Sequence, residues 1–170
     1  MKKIFLIVTL MLTNLLALSV GEVPKDVTIE GDNGGLVAGG AWNSVVLKGK
    51  VDVIFYVDPD EKDVNEDFAE ALKKEKFNRD SFQTVAIVNM AATWKPNLII
   101  ETILKSKQKK FPQAIYVKDK HKVLVKMWDL EDDSSDILVF DKSGKVLYSR
   151  AGKLDKAEIE KVLTLIKDHL

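Results

Sequence analysis

The chain contains no cysteine, and that absence excludes more than any motif present. Thiol–disulfide exchange and thiol peroxidase chemistry need a thiolate to attack and a second sulfur to resolve, and neither exists here. Disulfide cross-links and a cysteine-linked lipid anchor are excluded on the same ground. Histidine is nearly absent as well, with only His121 and His169. A Ser–His dyad or triad and a zinc site both draw on His or Cys, so those two residues leave little room for either. His121 lies in a lysine-rich turn and His169 at the C-terminal end, where solvated side chains are expected. There is no excess of charge, with 26 Lys+Arg against 26 Asp+Glu, and so no electrostatic footprint for nucleic acid. No internal repeat and no low-complexity segment interrupts the chain.

What is present begins with a leader. Lys2 and Lys3 form a positive start, Ile4 to Leu16 an apolar run broken only by Thr9, Thr13 and Asn14, and Ala17-Leu18-Ser19 a small-x-small cleavage site. Residues 1–19 are therefore expected to be a signal peptide, with an alternative cleavage after residue 21. The run is short for a membrane span of ~20 residues. The expected location is the periplasm of a bacterium, with no stable membrane span after cleavage. Losing Lys2 and Lys3 takes the 26 basic residues to 24 against 26 acids, a net charge of −2. Residues 22–170 suit one domain with a single core.

Along that domain, Val27 to Ile29 and Leu36-Val37 flank a glycine-rich turn and predict a hairpin. The glycines do not fit a phosphate-cradling GxGxxG loop. Val51 to Val57 is almost continuously β-branched or aromatic, as a central strand covered on both faces would be. Asp58-Pro59-Asp60 stops it. Asp63 and Glu66 predict a capping box for a helix with Val64, Phe68, Ala71 and Leu72 inside. Phe82 to Val88 predicts a strand. Pro96 predicts the first turn of a helix whose inner stripe is Ile99, Ile100, Ile103 and Leu104. Ala114 to Val117 and Val123 to Met127 predict two short strands. Ile137 to Phe140 and Lys145 to Ser149 predict a hairpin with Gly144 in its turn. Asp155 and Glu158 predict a capping box, with Leu154 stapled to Ile159, for a last helix carrying Val162, Leu163, Ile166 and Leu170 inside. Strands interleaved with helices in this order imply an α/β domain, a mixed sheet with helices packed on it.

Three stretches carry a resemblance. Leu47-Lys48-Gly49-Lys50-Val51 resembles the entry to the active-site strand of peroxiredoxins and membrane-anchored thioredoxin-like reductases. Phe111-Pro112 through Asp119 to Trp128 is similar to the middle insertion of peroxiredoxins, and Ile137 to Val146 to their late hairpin. The loop Asp58 to Asp63 stands where the redox thiol would be, and Ser134-Ser135 where the cis-proline would be. These departures, with Trp42-Asn43-Ser44, Gly49-Lys50-Val51, Ile87-Val88-Asn89, Trp128, Leu130 and the Asp141 turn, resemble the YtfJ family of small exported bacterial proteins from about Val27 to the C-terminus. The resemblance implies a thioredoxin-like three-layer fold, a central mixed β-sheet flanked by helices, in a periplasmic protein of unestablished activity.

Two acidic clusters invite a functional reading. Asp58, Asp60, Glu61, Asp63, Glu66 and Asp67 could hold Ca²⁺, although Lys62 and the missing glycine break the EF-hand pattern. Negative charge at a helix N-terminus, which the helix dipole favours, is the plainer explanation. Asp129, Glu131, Asp132, Asp133 and Asp136 surround Ser134-Ser135. Lysines crowd residues 105–126, either to defend sheet edges or to dock an acidic partner or anionic lipid. Trp42 and Trp128 are expected in the core, and Trp94, in a loop, exposed. The candidate contact surface is a cleft made of Asp58, Asp60, Asp63, Asn89, Thr93, Trp94, Ser134 and Ser135. It is expected to hold a periplasmic protein or extended peptide, with no catalytic residue, metal or cofactor. The alternative is a metal-dependent enzyme using the carboxylates of the same cleft.

Overall fold

The computed structural model describes residues 18–170, so the leader through Ala17 lies outside the described residues. Eight strands and four α-helices follow in the order β1 (Thr28–Ile29), β2 (Gly34–Leu36), β3 (Trp42–Asn43), β4 (Val51–Val57), α1 (Glu66–Glu75), β5 (Phe82–Asn89), α2 (Asn97–Lys110), β6 (Ile115–Asp119), α3 (Val123–Trp128), β7 (Ser135–Phe140), β8 (Val146–Arg150) and α4 (Lys156–His169). Six strands form one mixed sheet in the order β2-β6-β5-β4-β7-β8. The apolar run of β4 places it at the centre, parallel to β5 and antiparallel to β7. β5 is in turn parallel to β6, and β7 turns back into β8.

Alternation along the strands divides the core between the two faces. Ile54, Tyr56, Val85, Ile87, Leu138 and Phe140 pack with Trp42, Leu124 and Trp128. Trp42 and Trp128 meet edge to face, centroids 6.4 Å apart, the arrangement that ring quadrupoles favour. Val53, Ile137 and Val139 pack on the other face against Phe68 and Leu72 of α1 and Val162 and Ile166 of α4. α2 completes that layer through Ile100 and Leu104, seated with Met90 against Val88 and Tyr116.

Four local expectations fail, each for a physical reason. The N-terminal hairpin does not form: β1 pairs with β3, and β2 crosses to the sheet edge beside β6. The glycines read as a turn are the strand itself. At Gly34, φ is 123° and a Cβ would stand 1.9 Å from the Lys118 carbonyl oxygen, so only glycine permits this approach. Residues 123–128 are a helix and not a strand, because Leu124 and Trp128, four apart, are the buried pair. The Asp119 carboxylate caps that helix by accepting from the Val123 and Leu124 N–H groups at 2.9 and 3.1 Å. The Asp63–Glu66 capping box is not made; Asn65 occupies the N-cap position and its side chain bonds elsewhere. Lastly, Ile99 and Ile103 stand 51% and 49% exposed, leaving only Ile100 and Leu104 of the expected stripe inside.

The box at α4 does form: the Asp155 side chain accepts from the Glu158 N–H at 2.8 Å, and the Glu158 carboxylate accepts from the Asp155 N–H at 2.9 Å. Leu154 is buried and Ile159 packs against the same cluster. Asp155→Ala is therefore expected to cost about 1 kcal/mol in denaturant unfolding, whereas Asp63→Ala costs a few tenths at most. Equal losses would mean that the two helix starts are capped alike.

Candidate functional site

The C-terminal ends of the parallel strands β4, β5 and β6 point the same way, and the loops that leave β4 and β5 meet there the start of β7. Open α/β sheets bind their ligands at this end. Asp58, the first residue after β4, is 5% exposed. Its N–H donates to the Ser134 carbonyl at 2.8 Å, which carries the β4–β7 ladder one step further. Its carboxylate accepts from the Asp60 N–H at 2.8 Å. Burial, helped by the nearby charges of Asp133 and Glu61, holds the Asp58 carboxyl above its ordinary range.

Asp60 joins the two loops. One carboxylate oxygen accepts from the Thr93 hydroxyl at 2.7 Å, and the other takes the ammonium of Lys95. Thr93 also accepts from the Lys95 N–H. Between these two braced residues Trp94 stands 87% exposed. Asp63 is not drawn into the cleft; it is exposed and pairs with its neighbour Lys62.

Of the remaining candidates Asn89 and Ser135 are inside and Ser134 is half-buried. Asn89 is fully buried and donates through Nδ2 to the Asp132 carbonyl and carboxylate at 3.1 and 2.9 Å. Asp132 also pairs with Lys122, and the Lys122 and Asn89 bonds outweigh partial burial and keep its carboxyl below the usual range. Ser134 Oγ accepts from the Gly152 N–H at 3.1 Å. Ser135 is 2% exposed, and both its carbonyl and its hydroxyl accept from Asn65.

Asn65 is the residue that sequence reasoning missed. Its Nδ2 donates to Ser135 and to the Gly152 carbonyl at 3.0 Å, and its Oδ1 accepts from the Leu154 N–H at 2.9 Å. One buried amide thus joins the start of α1, the start of β7 and the approach to α4. Nothing in its neighbours along the chain announces this, because every partner is 70 or more residues away. Tyr56 was also missed: its hydroxyl donates to Asp119 at 3.1 Å, and burial together with the Asp119 charge pushes its ionisation up.

Chemically, this end of the sheet holds no thiol, and the carboxylates of Asp60, Asp63 and Asp132 are each paired with a lysine. Among the described residues no three His, Cys, Asp or Glu side chains are grouped to hold a metal ion. His121 is exposed in the turn after β6, and His169 is bonded to the Leu165 carbonyl near the end of α4.

The fold and this site define a thioredoxin-like protein that carries no cysteine. A thiol-disulfide isomerase from Corynebacterium glutamicum superposes with a TM-score of 0.61 at 18% identity, covering 85% of this chain and 96% of that one. The pneumococcal exposed lipoprotein thioredoxin from Streptococcus pneumoniae gives 0.56 at 16% identity, covering 82% and 98%. At such identities the likeness concerns the fold alone. Residues 26–169 match the family described as "Bacterial protein of unknown function (YtfJ_HI0045)", and the chain belongs to that family. It is 32% identical over 129 residues to the uncharacterized protein YtfJ of Escherichia coli (strain K12), covering 74% of this chain and 70% of that one.

Two buried acids make the structure sensitive to pH. Burial pushes the Asp136 carboxyl up to about 6 against the bonds from Ser134 and the Glu131 N–H. It pushes Asp52, whose one bonded oxygen accepts from Gln83 at 2.9 Å, up to about 7. The unfolded chain releases both protons near 3.8, so above that pH it binds fewer protons than the native state. Stability therefore falls as pH rises from about 4, the Asp136 share ending near 6 and the Asp52 share near 7. Urea midpoints measured across this window should decline, and Asp136→Asn should flatten the part below pH 6. A variant as steep as the parent would place the lost protons elsewhere.

Proposed function

We propose that the protein is a non-catalytic binding domain of the periplasm, an adaptor that holds an extended segment of a partner protein where the loops after β4 and β5 meet Ser134. The observation that carries this reading is Trp94. A tryptophan left 87% exposed gives up favourable burial, and it does so on a loop fixed on both sides by Asp60. An aromatic anchor already held in place loses little entropy on binding, and such residues dominate interface energetics. The leader, with its charged start, apolar run and small-x-small site, supports export. An extended partner segment would be held by backbone hydrogen bonds in addition to the anchor, which requires no thiol.

The metal-dependent alternative has no observation in its favour: Asp60, Asp63 and Asp132 are each engaged by a lysine. A serine nucleophile has no histidine beside it, and Ser135 is buried against Asn65.

Crosslinking of the tagged protein in living cells tests the proposal. One recurrent partner is expected, and Trp94→Ala should cost about 2 kcal/mol of binding, roughly thirtyfold, with an unchanged melting temperature. Asp60→Ala, which frees the loop, should weaken capture by a smaller factor. The proposal is sunk if no partner rises above background, or if capture survives Trp94→Ala intact.

A further inference from the structure

The outward face of α2 also leaves large apolar side chains in water. Ile100 and Leu104 anchor the helix, and the surface turned away from them presents Leu98 at 76% and Ile99 at 51% exposure, with Ile103 at 49% on its edge. Phe111, just past the last turn, is 41% exposed. Between these apolar ends, ~20 Å apart at 1.5 Å per residue, come Lys105, Lys107, Lys109 and Lys110, all exposed. None of the four is ion-paired within 4.0 Å among the described residues.

The charge around this face has one sign. Residues 95–126 hold nine lysines and two acids in a chain that is balanced overall. Neither acid offsets them at the surface. Asp119 is fully buried, accepting the N–H groups that start α3, and Glu101 is paired with Lys120 at 2.8 Å. The rest of the chain therefore carries the matching negative excess, and the molecule is electrically two-faced.

We infer that the outward face of α2 docks on the anionic headgroup surface of a phospholipid bilayer. Apolar chains that protrude from a convex helix have no groove to receive a partner, but they can enter a deformable interface. Lys109 and Lys110 on that side, with Lys105 and Lys107 at its two flanks, then meet lipid phosphates while their stems lie along the acyl boundary. No helix among the described residues is long and apolar enough to cross a membrane, so the contact is peripheral. This goes beyond the adaptor reading and does not use Trp94.

The test is co-sedimentation of the protein, expressed with its own leader, on vesicles of phosphatidylcholine with and without about 30 mol% phosphatidylglycerol. All variants are made in the same chain, so any contribution of the leader cancels in the comparison. Binding is expected to be tenfold or more tighter on the anionic vesicles and to weaken in high salt. Replacing the four lysines by Gln, or making Ile99→Glu with Ile103→Glu, should each lower it at least about tenfold with the melting temperature retained. These side chains are exposed, so the variants fold. Trp94→Ala should keep vesicle binding while losing partner capture, and the isoleucine variant should do the reverse, which separates failure of this inference from failure of the adaptor reading. Equal binding to neutral and anionic vesicles would overturn the inference. So would a four-Gln variant that binds as the parent does, or a dimer in sedimentation analysis that the isoleucine variant abolishes.

Discussion

Everything in this domain is referred to β4. It has a hydrogen-bonded neighbour along each edge and a packed layer on each face, so none of its polar backbone and almost none of its side-chain surface meets water. Such a strand can exist only once β5, β7 and both layers are in place, which makes the core cooperative in the absence of any cross-link. The cost is visible in Asp52, a carboxyl group on this strand with one oxygen bonded to Gln83 and the other without a partner among the described residues. Hydrophobic contact on both sides must outweigh that burial.

Where β4 leaves the sheet stands the loop Asp58 to Asp63, the position at which the resemblance would put a redox thiol. Here the same position is filled with cross-braces. Asp60 fastens one loop to the other, Asn89 fastens β5 to the acidic stretch before β7, and Asn65 fastens α1 to β7 and to the entry of α4. Asp60, Asn65 and Asp132 are committed to the protein's own frame, and the aromatic ring of Trp94 stands in the open beside them. The rigidity that would be wasted in an enzyme lacking a nucleophile is useful for recognition, since an ordered surface binds without first paying to become ordered.

Elements whose cause is local could be read from the chain alone. β4 announces itself by strand formers at six of its seven positions, and α4 by Asp155, Glu158 and a regular apolar stripe. The family and fold followed from short stretches spread over the domain. The misreadings share a different origin. The Gly34-Gly35 pair looks like a turn because turns and close strand approaches both need glycine, and only the presence of Lys118 beside it distinguishes them. Val123 to Trp128 alternates well enough for a strand until Asp119 supplies a helix cap. Asp63 lost its capping role because Asn65, two residues on, has partners far away in sequence. The candidate site shows the same division: Asp58, Asn89 and Ser134 could be grouped from the sequence because they adjoin strands, whereas the contacts of Asn65 and Lys95 follow from no spacing rule.

The placement of the three tryptophans has a spectroscopic consequence. Trp42 and Trp128 are 1% exposed and lie edge to face in the core, while Trp94 projects into solvent. The protein therefore carries two separable fluorophore populations in one chain. The core pair emits at short wavelength and is shielded from an aqueous quencher until the sheet opens, and the surface ring emits at long wavelength and is quenched at once. A single emission spectrum, recorded with and without acrylamide, follows unfolding and surface occupancy as independent quantities, with no label added.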